Sequence, residues 1–105
     1  MVKTFGRAHL VARLIQSLRN IYLSIPAIII DDALFVYNIN PKMKMKYNLL
    51  KNASNILYLT MKYNSGASAG RNLGLSFVKT PYFLIVDDDF YFHKDTNLEY
   101  VSYCK

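Results

Sequence analysis

Three consecutive carboxylates, Asp87-Asp88-Asp89, follow the apolar run Tyr82-Phe83-Leu84-Ile85-Val86, and Asp31-Asp32 follows a second run, Ala27-Ile28-Ile29-Ile30. Five of the six Asp residues thus stand at the carboxyl ends of two predicted buried strands. In open α/β sheets that edge is where ligands bind. Alternate side chains of a strand share a face, which pairs Asp87 with Asp89 and turns Asp88 away. Carboxylates roughly 7 Å apart on one face repel each other, by about 2 kcal/mol at an effective dielectric of about 20. A hard divalent cation removes the repulsion and takes oxygen ligands. The pattern is that of a metal-nucleotide site.

The elements that would position these groups are legible along most of the chain. Val2 to Phe5, too short for a complete buried strand, leads straight into a helix predicted from Arg7 to Tyr22, where Leu10, Val11, Leu14, Ile15, Leu18 and Ile21 form a stripe of period 3.6. Ser24 and Pro26 end it, and Ala27 to Ile30 reads as a buried parallel strand. Between Asp32 and Asn55 the pattern weakens. Asn38 to Pro41 reads as a turn, and Met43, Met45 and Tyr47, alternating with lysines, suit a strand, a loop or a short helix. Ile56 to Leu59 is a third strand. The small-residue run Asn64 to Asn72 opens a helix reaching about Val78, with Ser68 as the expected N-cap and Leu73 and Phe77 as an apolar i, i+4 pair. Thr80-Pro81 closes that helix before the aspartate-bearing strand. Thr96 to Glu99 forms a capping box for another helix. This order predicts one α/β domain with a mainly parallel sheet.

Composition narrows the function classes. The 105 residues, 52% hydrophobic, suffice for one small cored domain. No apolar stretch is long enough to span a membrane, so no membrane segment is expected in this chain. The amino terminus lacks the apolar core of a signal peptide, and the single Cys104 cannot form an internal disulfide. The net charge of +6 invites nucleic acid. However, Arg7, Arg13 and Arg19 lie along a helix and Lys42, Lys44, Lys46 and Lys51 in a connecting segment. No nucleic-acid-binding motif accompanies them, and no nucleic-acid partner is expected. A basic surface also attracts anionic substrates such as sugar nucleotides. Asn52-Ala53-Ser54 is a glycosylation sequon of small weight.

Four elements in register, Lys3-Thr4-Phe5-Gly6-Arg7, Ile29-Ile30-Asp31-Asp32, Ser65 to Asn72 and Val86-Asp87-Asp88-Asp89-Phe90, give the sequence its kinship. Together they resemble a family 2-like glycosyltransferase of the GT-A fold. More narrowly, the chain is similar to the β-1,4-N-acetylgalactosaminyltransferases that build gangliosides and related glycans. The likeness weakens only between Ala33 and Lys51. It implies a Rossmann-like, mainly parallel sheet flanked by helices, with residues 1–105 as the nucleotide-sugar-binding half of a glycosyltransferase domain. It also implies a UDP-sugar donor such as UDP-GalNAc, inverting transfer to a glycan or glycolipid acceptor in a full-length enzyme, and a manganese or magnesium ion on the diphosphate. Thr4 would contact the nucleoside through its backbone. Arg7 either faces the phosphates or is an ordinary solvated residue at the helix start. Asp31 or Asp32 would read uracil and ribose, or else cap a turn. Gly70 would let backbone approach the nucleotide, or serve helix–sheet packing. Arg71, beside Asn72, would support the acidic pocket and the nucleotide, unless it pairs with Asp31 or Asp32 without ligand. Asp89 is expected to touch the metal, and Asp87 the ribose or a metal-bound water. His93 reads as incidental, and Phe90, Tyr91 and Phe92 as packing.

An inverting transferase needs a base for the acceptor hydroxyl, and only Asp95 and Glu99 follow the triplet, neither in a matching context. The expectation is a domain truncated at both ends that alone binds UDP weakly, if at all, and does not transfer sugar. The alternative function is a catalytically incomplete module that binds nucleotide sugar at most. Golgi lumen would follow from the resemblance if a full-length version carries an anchor. Phosphatases of the haloacid dehalogenase type and receiver domains place their acidic pairs early in the chain, unlike this one.

Overall fold

The computed structural model describes residues 1–33 and 35–94. The predicted amphipathic stripe becomes α1, Ala8–Arg19, which buries Ala8, Val11, Leu14, Ile15 and Leu18. Arg19 in its last turn donates to the carbonyls of Tyr22 and Ile25 at 3.4 and 2.6 Å, satisfying backbone acceptors just past the helix. Four strands follow the apolar runs: β1 (Val2–Thr4), β2 (Ala27–Asp31), β3 (Ile56–Thr60) and β4 (Val86–Asp87). They form one sheet in the order β3-β2-β1-β4, and every pairing is parallel. The chain builds outward from β1 to β3, then crosses back to lay β4 on the other side. The strand order therefore reverses between β1 and β4, and such a reversal opens a crevice at the carboxyl edge.

Strand parity divides the residues between two faces. Val2, Thr4, Ile29 and Asp31 occupy neighbouring register positions and face the layer of α1 and α3, where Val11, Leu14, Leu18, Tyr37, Leu50 and Phe92 complete the core. Lys3 lies opposite Ile30 on one side and Asp87 on the other. These three look toward α4, Ala67–Leu75. That helix lies close to the sheet through Gly70 and Gly74. A Cβ on Gly70 would stand 2.5 and 2.6 Å from Lys3 Cδ and Cε, and one on Gly74 would stand 2.8 Å from Ile30 Cδ1.

Three expectations change. The weakly patterned segment is helical: α2 spans Val36–Ile39 and α3 spans Pro41–Lys51. Asn40, read as part of a turn, is the N-cap of α3 and accepts from Met43 N at 3.2 Å, with Pro41 in the first turn. The second change concerns α4, which starts after Gly66 rather than at Ser68. Gly66 adopts φ +93°, open to glycine, and its N–H is taken by Asp32. A tertiary hydrogen bond thus sets the helix start. Third, the aspartate-bearing strand is two residues long. Val86 N donates to Met1 O and the Met1 amino group donates to Leu84 O, while Tyr82 to Ile85 are exposed rather than buried. The capping box at Thr96 to Glu99 lies outside the described residues.

Truncation of Leu14 to Ala, at 2% exposure, is expected to cost about 2–5 kcal/mol in urea unfolding. Met45→Ala on the exposed side of α3 should stay within about 0.5 kcal/mol.

Candidate functional site

The two aspartate clusters converge on the carboxyl edge, but their members do different work. Asp31, last in β2, is fully buried. Its Oδ1 accepts from the backbone N–H of Gly6 and Ala33, each at 3.0 Å. Its Oδ2 accepts from the hydroxyls of Tyr37 at 2.5 Å and Tyr58 at 2.7 Å. Gly6 reaches this position at φ +67°, and a Cβ there would collide with Val36. Burial first, and Asp31 second, push both phenols well above the ordinary tyrosine range. Tyr47 buttresses them, stacked on Tyr37 at 4.7 Å and edge-on to Tyr58 at 5.0 Å.

Asp32 turns to the other face and is 1% exposed. It pairs with Lys3 Nζ at 2.5 Å and accepts from Gly66 N at 3.0 Å. Burial alone would raise its pKa. The hydrogen bonds from Lys3 and Gly66, with the charge of Lys3, outweigh that and hold it below the usual carboxylate value. Asp31 and Asp32 therefore present no open acceptor at the surface.

In the triplet, Asp88 is the buried member. Its carboxylate accepts from Thr4 Oγ1 at 2.9 Å and takes Arg7 bidentately, Nε and Nη2 each at 2.8 Å. The strand ends at Asp87, and Phe90 N donates to Asp87 O across a turn. Arg13 donates to Asp89 O, and Phe92 N to Ser17 Oγ, which fasten the turn to α1. Asp87 and Asp89 are left exposed. Together with Lys3, Arg7, Ala67, Arg71 and Asp88 they line a cleft of about 320 Å³ at the β1–β4 crevice.

The structure thus brings Arg7, Arg71, Asp87 and Asp89 into one cleft, with Thr4 fixed below through Asp88. Arg71 makes no ion pair among the described residues, so the pairing with Asp31 or Asp32 does not form. Gly70 is buried and faces Lys3, in its packing role, while Asn72 is exposed on α4 away from the lining. His93 is exposed and lies edge-on to the Tyr91 ring. Asp95 and Glu99 lie outside the described residues. Sequence reading passed over Lys3, Tyr37 and Tyr58. Strand parity offered a signal for Lys3 and Tyr58, but only the register between strands says what they meet.

The raised phenol pKa values mean that the tyrosine contribution to stability holds below the unfolded value of about 10 and fades as the pH climbs toward the folded values. The melting temperature should fall above about pH 10 more steeply in the parent chain than in Tyr58→Phe. At pH 7 the same variant should lose about 1–3 kcal/mol, because Asp31 is short of one donor.

Several comparisons bear on this geometry. The chain is 40% identical over 97 residues to Beta-1,4 N-acetylgalactosaminyltransferase 2 of Mus musculus, covering 92% of this chain and 17% of that protein. It is 35% identical over 97 residues to Beta-1,4 N-acetylgalactosaminyltransferase 1 of Homo sapiens, covering 92% and 16%. The chain thus spans about a sixth of the length of these relatives. Among solved structures, S. aureus TarS 1-349 superposes with a TM-score of 0.71 at 19% identity, over 97% of this chain and 30% of that one. This second likeness is one of fold, and it agrees with the mainly parallel GT-A architecture. The match to the family description runs from the first strand through the aspartate triplet, over residues 1–102, and the chain belongs to glycosyl transferase family 2.

Proposed function

We propose that this chain is the donor-binding part of a glycosyltransferase. It takes a UDP-sugar, UDP-GalNAc by analogy with its relatives, together with manganese or magnesium. The transfer would be an inverting one to a glycan or glycolipid acceptor bound by the longer protein. The observation that carries this reading is the β1–β4 cleft, where exposed Asp87 and Asp89 stand with Arg71, Arg7 and Lys3 at the carboxyl edge of a parallel sheet.

The donor set suits a shared ion rather than a resident one. No three His, Cys, Asp or Glu side chains among the described residues cluster closely enough to hold a metal alone. Small divalent ions of this class are commonly held by one or two carboxylates plus substrate phosphates. Asp89 would hold the ion directly, with Asp87 as its second carboxylate or on the ribose. When bound, such an ion stabilises negative charge on the departing nucleotide.

The protein's own groups do the rest. Arg71 offers a planar fork to phosphate oxygens. Asp88 holds Arg7 and Thr4, and so keeps the first loop and the triplet in one frame. Asp31 and Asp32 would act on the nucleoside indirectly, by fixing the Gly6, Ala33 and Gly66 backbones at the carboxyl edge. The side-chain carboxylates among the described residues all belong to these two clusters, and none of them is proposed as the acceptor's base.

Calorimetric titration with UDP tests the reading. Binding should require Mn2+ and vanish with EDTA. Asp89→Asn and Asp87→Asn should each weaken the metal-dependent binding at least tenfold, about 1.4 kcal/mol. Binding indifferent to EDTA and to both substitutions would overturn it.

A further inference from the structure

Lys3 belongs to no expected role, yet it occupies the middle of the site. β1 lies between β2 and β4, so Lys3 is flanked by Asp32 on one side and by its register partner Asp87 on the other. Its stem runs beneath Gly70, where an added Cβ would stand 2.5 and 2.6 Å from Lys3 Cδ and Cε, so a side chain there would displace the lysine. Its ammonium spends one donor on Asp32 and one on Thr4 O, at 2.5 and 2.9 Å. An ammonium has three donors, and the residue lines the cleft.

Charge in the cleft points the same way. Arg7 is committed to Asp88. Asp32 lies below the surface and shares its charge with Gly66 N–H. Viewed from the cleft, the Lys3–Asp32 pair is thus a dipole with its positive end toward the ligand. A divalent ion on Asp87 and Asp89 would balance those two carboxylates and leave Arg71 as the unpaired cation among the described residues lining the cleft.

We propose that Lys3 contacts the donor itself: its remaining N–H binds a phosphate oxygen of the nucleoside diphosphate and makes the site select diphosphate over nucleoside. This rests on the donor-site reading above. Lys3 is then a binding and specificity residue rather than only the counter-ion of Asp32.

Ligand titrations in Mn2+ with UDP and with uridine separate these roles. Lys3→Met should lower UDP affinity at least tenfold and leave uridine within about twofold. That variant strands Asp32 as a buried unpaired carboxylate, which endangers the fold. The double variant K3M/D32N removes both charges and keeps the test available. UDP should still bind at least tenfold more weakly relative to uridine. Recovery of the parent UDP-to-uridine ratio in the double variant would overturn the proposal, since Lys3 would then serve Asp32 alone. An equal loss of both ligands in the double variant would overturn it as well. If the parent protein binds no UDP in Mn2+, the donor-site reading fails first and this inference falls with it.

Discussion

A carboxylate without access to water is tolerable only when protein donors replace its lost hydration. Asp31 meets that condition with four hydrogen bonds, two from backbone and two from tyrosines. The donors come from the loop after β1, the loop after β2, α2 and β3. One buried group thus ties together the segments that form the carboxyl edge. Gly6 can serve it only because its φ of +67° is open to glycine. A network this fully satisfied rigidifies the edge, and one left short of a donor is costly. The exposed part of the site depends on that rigidity.

Strand parity then distributes the remaining charges. Asp31 and Asp88 fall on the α1 side, where each is buried and saturated. Asp32 and Asp87 fall on the α4 side, with Lys3 between them. The same rule that buries alternate apolar residues assigns two aspartates to structure and leaves Asp87 for the cleft. Asp89 is exposed for another reason: the strand has ended and the chain turns. Arg7–Asp88 and Lys3–Asp32 both join β1 or its loop to a neighbouring cluster. Of the two, Arg7–Asp88 spans the β1–β4 crevice, and Lys3–Asp32 ties β1 to the end of β2.

Much of this was legible beforehand, and the misreadings have specific causes. The α1 stripe and the β2 and β3 runs were strong because their apolar periods coincide with the faces they bury. α3 was obscured because its lysines alternate with Met43, Met45 and Tyr47, and only Leu50 is buried. Its cap, Asn40 followed by Pro41, was the better signal. Ser68 was a fair N-cap by residue type but lost to Gly66, whose N–H had a partner 34 residues away. The apolar run at Tyr82 to Ile85 promised a full strand, yet the β1–β4 ladder pairs only Val86 and Asp87.

The sequence by itself determined the fold class, the parallel order of elements and the gathering of aspartates at strand ends. It also carried the family, through four motifs in register. These are local or one-dimensional properties, set by side-chain period, turn chemistry and spacing. Only the tertiary structure decided which aspartates are buried and which face the cleft. It alone showed that Gly70 makes room for Lys3, and that Tyr37 and Tyr58 sustain Asp31. Those outcomes follow from cross-strand register and long-range donors. A residue's partner across a sheet is not encoded in its own neighbourhood along the chain.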